Sequence, residues 1–547
     1  MTEAGPTSTG LVLDGLAREP GRVALRCGGE ALTGQDCLDT VFRTARALER
    51  AGLGRGDGVT VLAGNRPEAL LVRLAANLIG CRVAMPFPDS PVSELVALAE
   101  FVETTALVFD PSTCSTSAGA IARALPSAGV FALGPTALGF DLPELAAACS
   151  PAPLEPRYRP ADVMAVRFTS GTTGRPKGVL QRFARPPRPA LLSGASFLLC
   201  TPLCHGGGTT ADLALAAGGT VVLQEGFDAA EVLAAIERYR VSRVHLSPHL
   251  LHALLDHPLL AATDTGSLRR VGYTGCPPSP RRLAEATRRL GRVLHQTYSL
   301  TECGPVSRLS PDEHLAPRLL TTAGRPYPDT AVRVLDEEGA PLPPGRTGEI
   351  CVRTPTATAG YWRDPELTER VLRDGWLHTG DLGSLDAAGY LTVAGRRDPM
   401  AIVGGHNVFP LEVEETLRMH PDVREAVIFT TADPERLGRV HAAVALTPGA
   451  RVTAEQLRRW VGERGDPRCA PDAVLLLPAI PLNGLGKPDL PTLRALAAER
   501  TGRTGRTERA ERTELAEGPG QPGQPGQPGR PGRPGRPVSA TGAREGV

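Results

Sequence analysis

Of the 60 basic residues in this chain only two, Lys177 and Lys487, are lysine; the other 58 are arginine. Lysine carries a compact point charge on a thin stem, whereas arginine is a wide planar fork. A site that needs a narrow cation beside a phosphate or a developing charge cannot readily take arginine. Lys177 lies in the run Phe168–Val179 (FTSGTTGRPKGV), where Thr169, Ser170, Gly171, Thr172, Thr173 and Gly174 supply small side chains and hydroxyls. Backbone N–H groups of such a loop can close around phosphate oxygens, and Lys177 can reach the terminal ones. The loop is not a Walker A motif, because Gly178 follows the lysine where Ser or Thr is required. By itself a Ser/Thr/Gly run is also an ordinary flexible connection. Lys487 follows Asn483-Gly484-Leu485-Gly486, a loop free enough to deliver a side chain into a cleft.

The surroundings of these lysines are unusual in composition. The 547 residues include 61 glycines and 52 prolines, which with the arginine excess indicates a coding bias that replaces lysine wherever a surface charge suffices. Sixty basic and 59 acidic residues leave a net charge of +1, which excludes a chain built to coat nucleic acid or an anionic membrane. Phosphate recognition must therefore be local. No apolar run of about 20 residues predicts a membrane span. The first residues (MTEAGPTSTG) lack the basic start and apolar core of a signal peptide. The 11 cysteines are scattered without ligand spacing, Cys200 and Cys204 being the nearest to a pair, and read as reduced, mostly buried thiols of a cytoplasmic protein.

The length predicts several domains. Val59–Ala63, Ala106–Phe109, Thr220–Leu223 and Arg243–Leu246 read as buried strands; helices are expected from Pro67 and over Ala229–Tyr239. That strand–helix–strand rhythm predicts α/β layers with parallel strands. From about Leu319, the short pieces Val332–Leu335, Gly348–Val352 and Tyr390–Val393 predict a β subdomain. Helix Leu411–Met419, strands Glu425–Thr430 and Val440–Leu446, and helix Ala454–Glu463 predict a small α+β domain. The expected division is a large domain over 1–395, a mobile C-terminal lid over 396–500, and a tail over 501–547. The tail contains GPGQPGQPGQPGRPGRPGRP (Gly518 to Pro537) and reads as disordered, with polyproline II character.

The string TSGTTGRPKG resembles the signature of the adenylate-forming (AMP-binding) superfamily, closest to its acyl- and aryl-CoA synthetases. The resemblance extends in order through Tyr298–Glu302 (YSLTE), Gly375–Gly383 (GWLHTGDLG), Gly395–Asp398 with Gly404–Glu414 (GGHNVFPLEVE), and Pro481–Lys487 (PLNGLGK). It implies ATP-dependent conversion of a carboxylic acid to an acyl-adenylate, then transfer to a thiol, with ATP, Mg²⁺ and coenzyme A as cofactors. On this resemblance Thr169 to Gly174 and Lys177 hold the β/γ-phosphates, Glu302 binds Mg²⁺, and Thr301 donates to the α-phosphate. Tyr298 stacks on adenine, Asp381 takes the ribose hydroxyls with help from Arg396, and Lys487 bridges the carboxylate and the α-phosphate. Asp398 matches the hinge about which the lid turns between the two half-reactions.

His205, in Leu203–Gly208 (LCHGGG), resembles the histidine of acyl- and aryl-CoA ligases near the substrate carboxylate. No acid stands in that segment to pair a substrate ammonium, and Asp212 is expected on a helix surface. An acid without an α-amino group is therefore favoured, since an unpaired buried ammonium is costly. Tyr273, Thr274, Gly275, Cys276, Pro277 and Ser299 are expected to line the acyl pocket and touch the adenine. The family pattern is broken at Gln181-Arg182, at Thr274 and Cys276, and at Ser299. A specialised biosynthetic acid, even an unusual substrate, thus stays open. So does an acyl carrier protein as acceptor, and, in a different class, a non-catalytic ATP-binding scaffold.

Overall fold

The structure, a computed structural model, describes residues 7–169, 177–184, 194–276, 278–397, 401–403, 406–408, 410–431, 439–464, 470–484 and 486–499. Two large sheets dominate. One has nine strands, its parallel centre formed by Val23–Cys27, Thr220–Leu223, Ser196–Leu199, Arg243–Leu246, Arg270–Tyr273 and Leu294–Leu300, with antiparallel strands at both edges. The other has seven; its parallel members include Thr104–Phe109, Gly58–Leu62, Arg82–Ala84 and Val163–Thr169, and Lys177–Arg182 returns antiparallel at one edge. Parallel strands are buried on both faces, so they read as unbroken apolar runs. Thr220–Leu223, such a run after its first residue, and Arg243–Leu246, which alternates Arg, Val, His and Leu, both fall where the sequence places them.

Helices Gly34–Arg50, Pro67–Leu78 and Gly206–Ala216 share one core with strands of both sheets, Leu25, Phe197 and Val221 from one and Val59, Val83 and Val108 from the other. Helix Pro67–Leu78 is buried almost from end to end, with Pro67 in its first turn, where the missing N–H costs nothing. Just before it, buried Asn65 donates from Nδ2 to the carbonyls of Thr201 (3.0 Å) and Gln224 (2.9 Å) and accepts from the Leu203 N–H (2.7 Å). This one amide stitches the seven-stranded sheet to the loop that carries His205.

The expected β subdomain is a five-stranded sheet of Ala331–Leu335, Gly348–Arg353, Leu372–Arg373, Trp376–Leu385 and Leu391–Arg396. The C-terminal lobe has a separate core. There helices Pro410–Arg418 and Ala454–Arg464 accompany Val423–Thr431, Arg439–Leu446 and Ala473–Leu477. Everything to Arg494 forms one compact unit; of the second, Ala495–Val547, only residues 495–499 are described, as helix. The expected tail over 501–547 lies outside the described residues, and no described helix is long and apolar enough to cross a membrane.

Two sequence expectations fail. Asp212 does not face solvent: helix Gly206–Ala216 runs between layers, and the Asp212 carboxylate accepts from Arg73 Nη1 at 2.9 Å and Nη2 at 2.5 Å. Tyr273 does not line the pocket. It is fully buried, with its hydroxyl 2.8 Å from His314 Nε2, because alternation along its strand turns it inward.

Candidate active site

The ends of the Ser/Thr/Gly loop are held by one ladder. Thr169 closes a strand of the seven-stranded sheet and pairs in register with Lys177, the first residue of the returning strand. Between them Ser170, Gly171, Thr172, Thr173 and Gly174 lie outside the described residues, as do Pro277 and Asp398. On the same hairpin Arg167 donates from Nε to Gln181 Oε1 (2.8 Å), from Nη1 to the His205 carbonyl (2.9 Å) and from Nη2 to Thr209 Oγ1 (3.0 Å). The departure at Gln181 therefore orients an arginine that ties the loop's strand to the His205 helix.

A second hairpin sets Asp381 opposite Arg396. Arg396 Nε donates to Asp381 Oδ1 at 2.9 Å, and the Tyr298 hydroxyl donates to Oδ2 at 2.5 Å. Burial, reinforced by the Asp381 charge, pushes the Tyr298 phenol well above its ordinary value, so it stays a donor. The next residue, Arg397, donates its N–H to the Gly380 carbonyl (2.7 Å) and pairs with Glu349 (3.1 Å). Glu349 also faces His378 Nδ1 at 3.0 Å, and Cys351 Sγ lies 3.3 Å from that nitrogen. Among the described residues only these three offer metal-ligand atoms close together. Arg397 already compensates the carboxylate, so the group reads as an anchor for the chain leaving the subdomain. No spacing in the sequence signals this contact, because Glu349 and Arg397 meet only through sheet pairing.

Glu302 and Thr301 line a cleft of about 260 Å³ with Leu180, Arg182, Thr356 and Thr358. The Tyr361 hydroxyl donates to Glu302 Oε1 at 3.0 Å, leaving a carboxylate on the cleft wall that suits a hard divalent cation. A larger hollow of about 450 Å³ on the C-terminal lobe, beside Trp460 and Arg451, contains none of the motif residues.

Lys487 reaches this region from the other lobe. Gly275 has φ +106°, and a Cβ there would sit 3.2 Å from Lys487 Cε, so the lysine stem passes directly over a glycine. The side chain is exposed because the cleft before it is open. Its ammonium is nonetheless crowded by protein on the remaining sides. That crowding, with the nearby Arg396 charge, lowers its pKa, while Cys276 opposes the shift. His205, the residue before helix Gly206–Ala216, is pushed down to about 4 by burial, with Arg167 and Lys487 adding to the effect. It is neutral near pH 7 and can accept or donate without a net charge. Thr274 Oγ1 lies 3.1 Å from Ser299 Oγ, so two departures from the family pattern are each other's partners. Gly275 lies against the Lys487 stem, the Lys487 charge is felt at His205, Cys276 and Arg396 are felt at Lys487, and Asp381 and Tyr298 are joined to Arg396 by hydrogen bonds.

Residues 14–362 match the family described as AMP-binding enzyme, and residues 412–487 match the AMP-binding enzyme C-terminal domain. The chain is 35% identical to the medium/long-chain-fatty-acid–CoA ligase FadD8 of Mycobacterium tuberculosis, over 89% of this chain and 90% of that one. It is 32% identical to the fatty acid–[acyl-carrier-protein] ligase ScoC of Streptomyces coeruleorubidus, over 86% and 92%. Among solved structures it is similar to the amide bond synthetase McbA from Marinactinospora thermotolerans, with 37% identity, a TM-score of 0.79, and coverage of 89% of this chain and 99% of that one.

Proposed function

Because the chain belongs to the AMP-binding enzyme family, we propose that its cleft joins ATP to a carboxylic acid that lacks an α-amino group. It is an AMP-forming acid–thiol ligase. ATP and the acid give an acyl-adenylate and pyrophosphate, and a thiol then takes the acyl group and releases AMP. Coenzyme A is the thiol in this reading. The observation that carries it is the position of Lys487, one narrow ammonium above Gly275, close enough to lower the His205 pKa and to be lowered itself by Arg396.

The first half-reaction brings two anions together and builds charge on phosphorus oxygens, so it needs placed cations and donors more than an acid–base pair. Lys487 bridges the acid and the α-phosphate in this assignment, and Thr301 donates to that phosphate. Thr169 to Gly174 and Lys177 hold the outer phosphates. Glu302 would be an oxygen ligand for Mg²⁺, which would neutralise phosphate charge. His205 sits on the acid side; Gly275, Cys276, Pro277 and Ser299 border the adenine, on which Tyr298 stacks. The absence of an acid between Leu203 and Gly208, and the capture of Asp212 by Arg73, support a substrate without an ammonium. Free thiols at all ten described cysteines agree with a reducing, cytoplasmic setting.

Asp381 has the two carboxylate oxygens that a ribose diol needs, pre-aligned by Tyr298 and Arg396. Asp381→Asn keeps the shape and loses the charge. It is expected to raise the KM for ATP about 10- to 100-fold, the worth of one charge-assisted hydrogen bond, with a smaller change in the KM of the acid. An equal change in both would remove Asp381 from the nucleotide side.

A second acceptor is favoured by the 37% identity to an amide bond synthetase across nearly all of that chain. The test first screens fatty, aryl and hydroxy acids by ATP–pyrophosphate exchange. The accepted acid is then offered coenzyme A, a holo-acyl carrier protein, or a primary amine in parallel. Acyl-CoA is the expected product. Amide formed while coenzyme A is refused would transfer the second half-reaction to an amine, and acyl-carrier product alone would transfer it to a protein partner. Failure of exchange with every acid would favour the scaffold reading.

A further inference from the structure

The helix Pro248–Asp256 holds the C-terminal lobe at two points. At its start, buried Ser247 accepts the Leu250 N–H (3.3 Å) and donates to the carbonyl of Gly486, the residue before Lys487, at 2.7 Å. Gly486 has φ +66°, and a Cβ there would lie 2.8 Å from Leu250 Cγ, so the lysine loop is seated against this helix with no room for a side chain. One turn on, His249 and His252 point from the same helix face at Glu425 of strand Val423–Thr431. His249 Nδ1 lies 3.5 Å from Glu425 Oε2, and His252 Nδ1 lies 3.5 Å from Oε1. The pairing of that strand slips between Val423 and Glu425, a bulge that re-aims the side chain.

We propose that Glu425, clasped by His249 and His252, is a positioning residue that holds the C-terminal lobe in the orientation that puts Lys487 in the cleft, and that releasing this clasp accompanies the second half-reaction. The inference rests on the two-step reading above. Both histidines are more than nine-tenths buried, and each Nδ1 lies at ion-pair distance from Glu425 without a hydrogen bond to any described partner. A carboxylate this enclosed is retained only beside a cation. The influence of Cys276 first, and of Glu425 after it, outweighs burial and raises His249 above the ordinary histidine value. The two imidazoles, overcoming burial, hold Glu425 below the ordinary carboxylate range. His252 is lowered by burial, with Arg282 and His249 adding to the effect. Arg282 is itself paired with Asp256 and Glu285, so the other charges around the cluster are matched and the inter-lobe charge contact is His249 with Glu425.

The sign of the pH dependence follows. Cys276 lies in the same lobe as His249 and acts in either orientation, so docking adds only the share of the raise that comes from Glu425; that share is fully present below the undocked histidine value and is lost as pH climbs through the docked one. His252, lowered on docking, works against docking as pH falls below about 6.5. Glu425 contributes throughout, down to its own depressed value. The docked orientation is therefore most favoured near pH 6.5 and weakens on either side.

Two arms on the full chain test this and keep its failure separate from failure of the ligase reading. The first needs no substrate. Phe87 abuts Gly484 across the lobes, and a Cβ at Gly484 would sit 1.9 Å from its ring. A Phe87→Cys/Gly484→Cys chain is joined with a short bismaleimide, with and without Glu425→Gln, from pH 5.5 to 9. Capture is expected to fall at least about tenfold in the Gln variant near pH 6.5, and the ratio between the two chains to shrink as pH climbs above that value, while the acid-side loss that comes from His252 is shared by both chains. In the second arm, with octanoate or cinnamate, Glu425→Gln is expected to depress pyrophosphate exchange by a similar factor. Thioester release from the matching synthetic acyl-adenylate should stay within about twofold, and His249→Gln should add little on top. Capture that is unaffected by Glu425→Gln at every pH, or an equal fall in both half-reactions, overturns the proposal. Wild-type chain that exchanges with no acid overturns the ligase reading while the first arm still decides the clasp.

Discussion

Lys487→Ala is expected to slow acyl-adenylate formation by about 10²–10³, the usual cost of removing one preorganised contact to a developing charge. The melting temperature should hardly move, because the side chain faces the open cleft and exposed substitutions cost little. Thioester formation from supplied acyl-adenylate should persist, since that step needs no bridge between acid and α-phosphate. The sharper variant is Lys487→Arg. The stem crosses Gly275 with only 3.2 Å to a hypothetical Cβ, and Arg396 is close enough to lower the lysine's pKa. A planar fork would meet the Gly275 backbone and a second guanidinium, so charge alone should not rescue the reaction. Single-turnover measurement of acyl-adenylate checks both variants. Near-normal rates in Lys487→Arg would show that the survival of two lysines among 58 arginines reflects chance and not geometry.

What the sequence revealed, and what it hid, divides along physical lines. Apolar runs bounded by turns located parallel strands such as Thr220–Leu223 because burial on both faces leaves little alternation to misread. The pairing of Asp381 with Arg396 was implied by the family resemblance, and a local hairpin sets the two opposite one another. The partners that fix the site were not legible. Arg167 reaches His205 and Thr209, Asn65 spans to Gln224, and Glu425 meets His249 across the lobes. Each is a single polar side chain whose partner lies far away in sequence, and no periodicity encodes such a meeting. Tyr273 went astray for a different reason. Its neighbours Thr274 and Gly275 do reach the site, but consecutive strand residues point to opposite faces, so adjacency in sequence put the tyrosine on the wrong one.

Asp212 illustrates how a polar residue on a helix can mislead. A charged position on a helix is ordinarily a solvated one, but helix Gly206–Ala216 lies between layers and has no fully solvated flank to offer. Its carboxylate is the counter-ion of Arg73, which is 8% exposed on the central helix Pro67–Leu78. Asp212→Ala would leave that guanidinium buried without a partner, and is expected to cost about 3–5 kcal/mol in urea or thermal unfolding. Replacing both members, as in Arg73→Met with Asp212→Leu, should recover most of the loss, because the pair contributes little beyond cancelling its own desolvation. At a temperature where the single variant remains folded, its acid preference in pyrophosphate exchange should match the parent, since the carboxylate is committed to Arg73 and not to the substrate. A loss below about 1 kcal/mol, the range of exposed pairs, would mean that water reaches the guanidinium. A new preference for amino acids or against them would instead return Asp212 to the pocket.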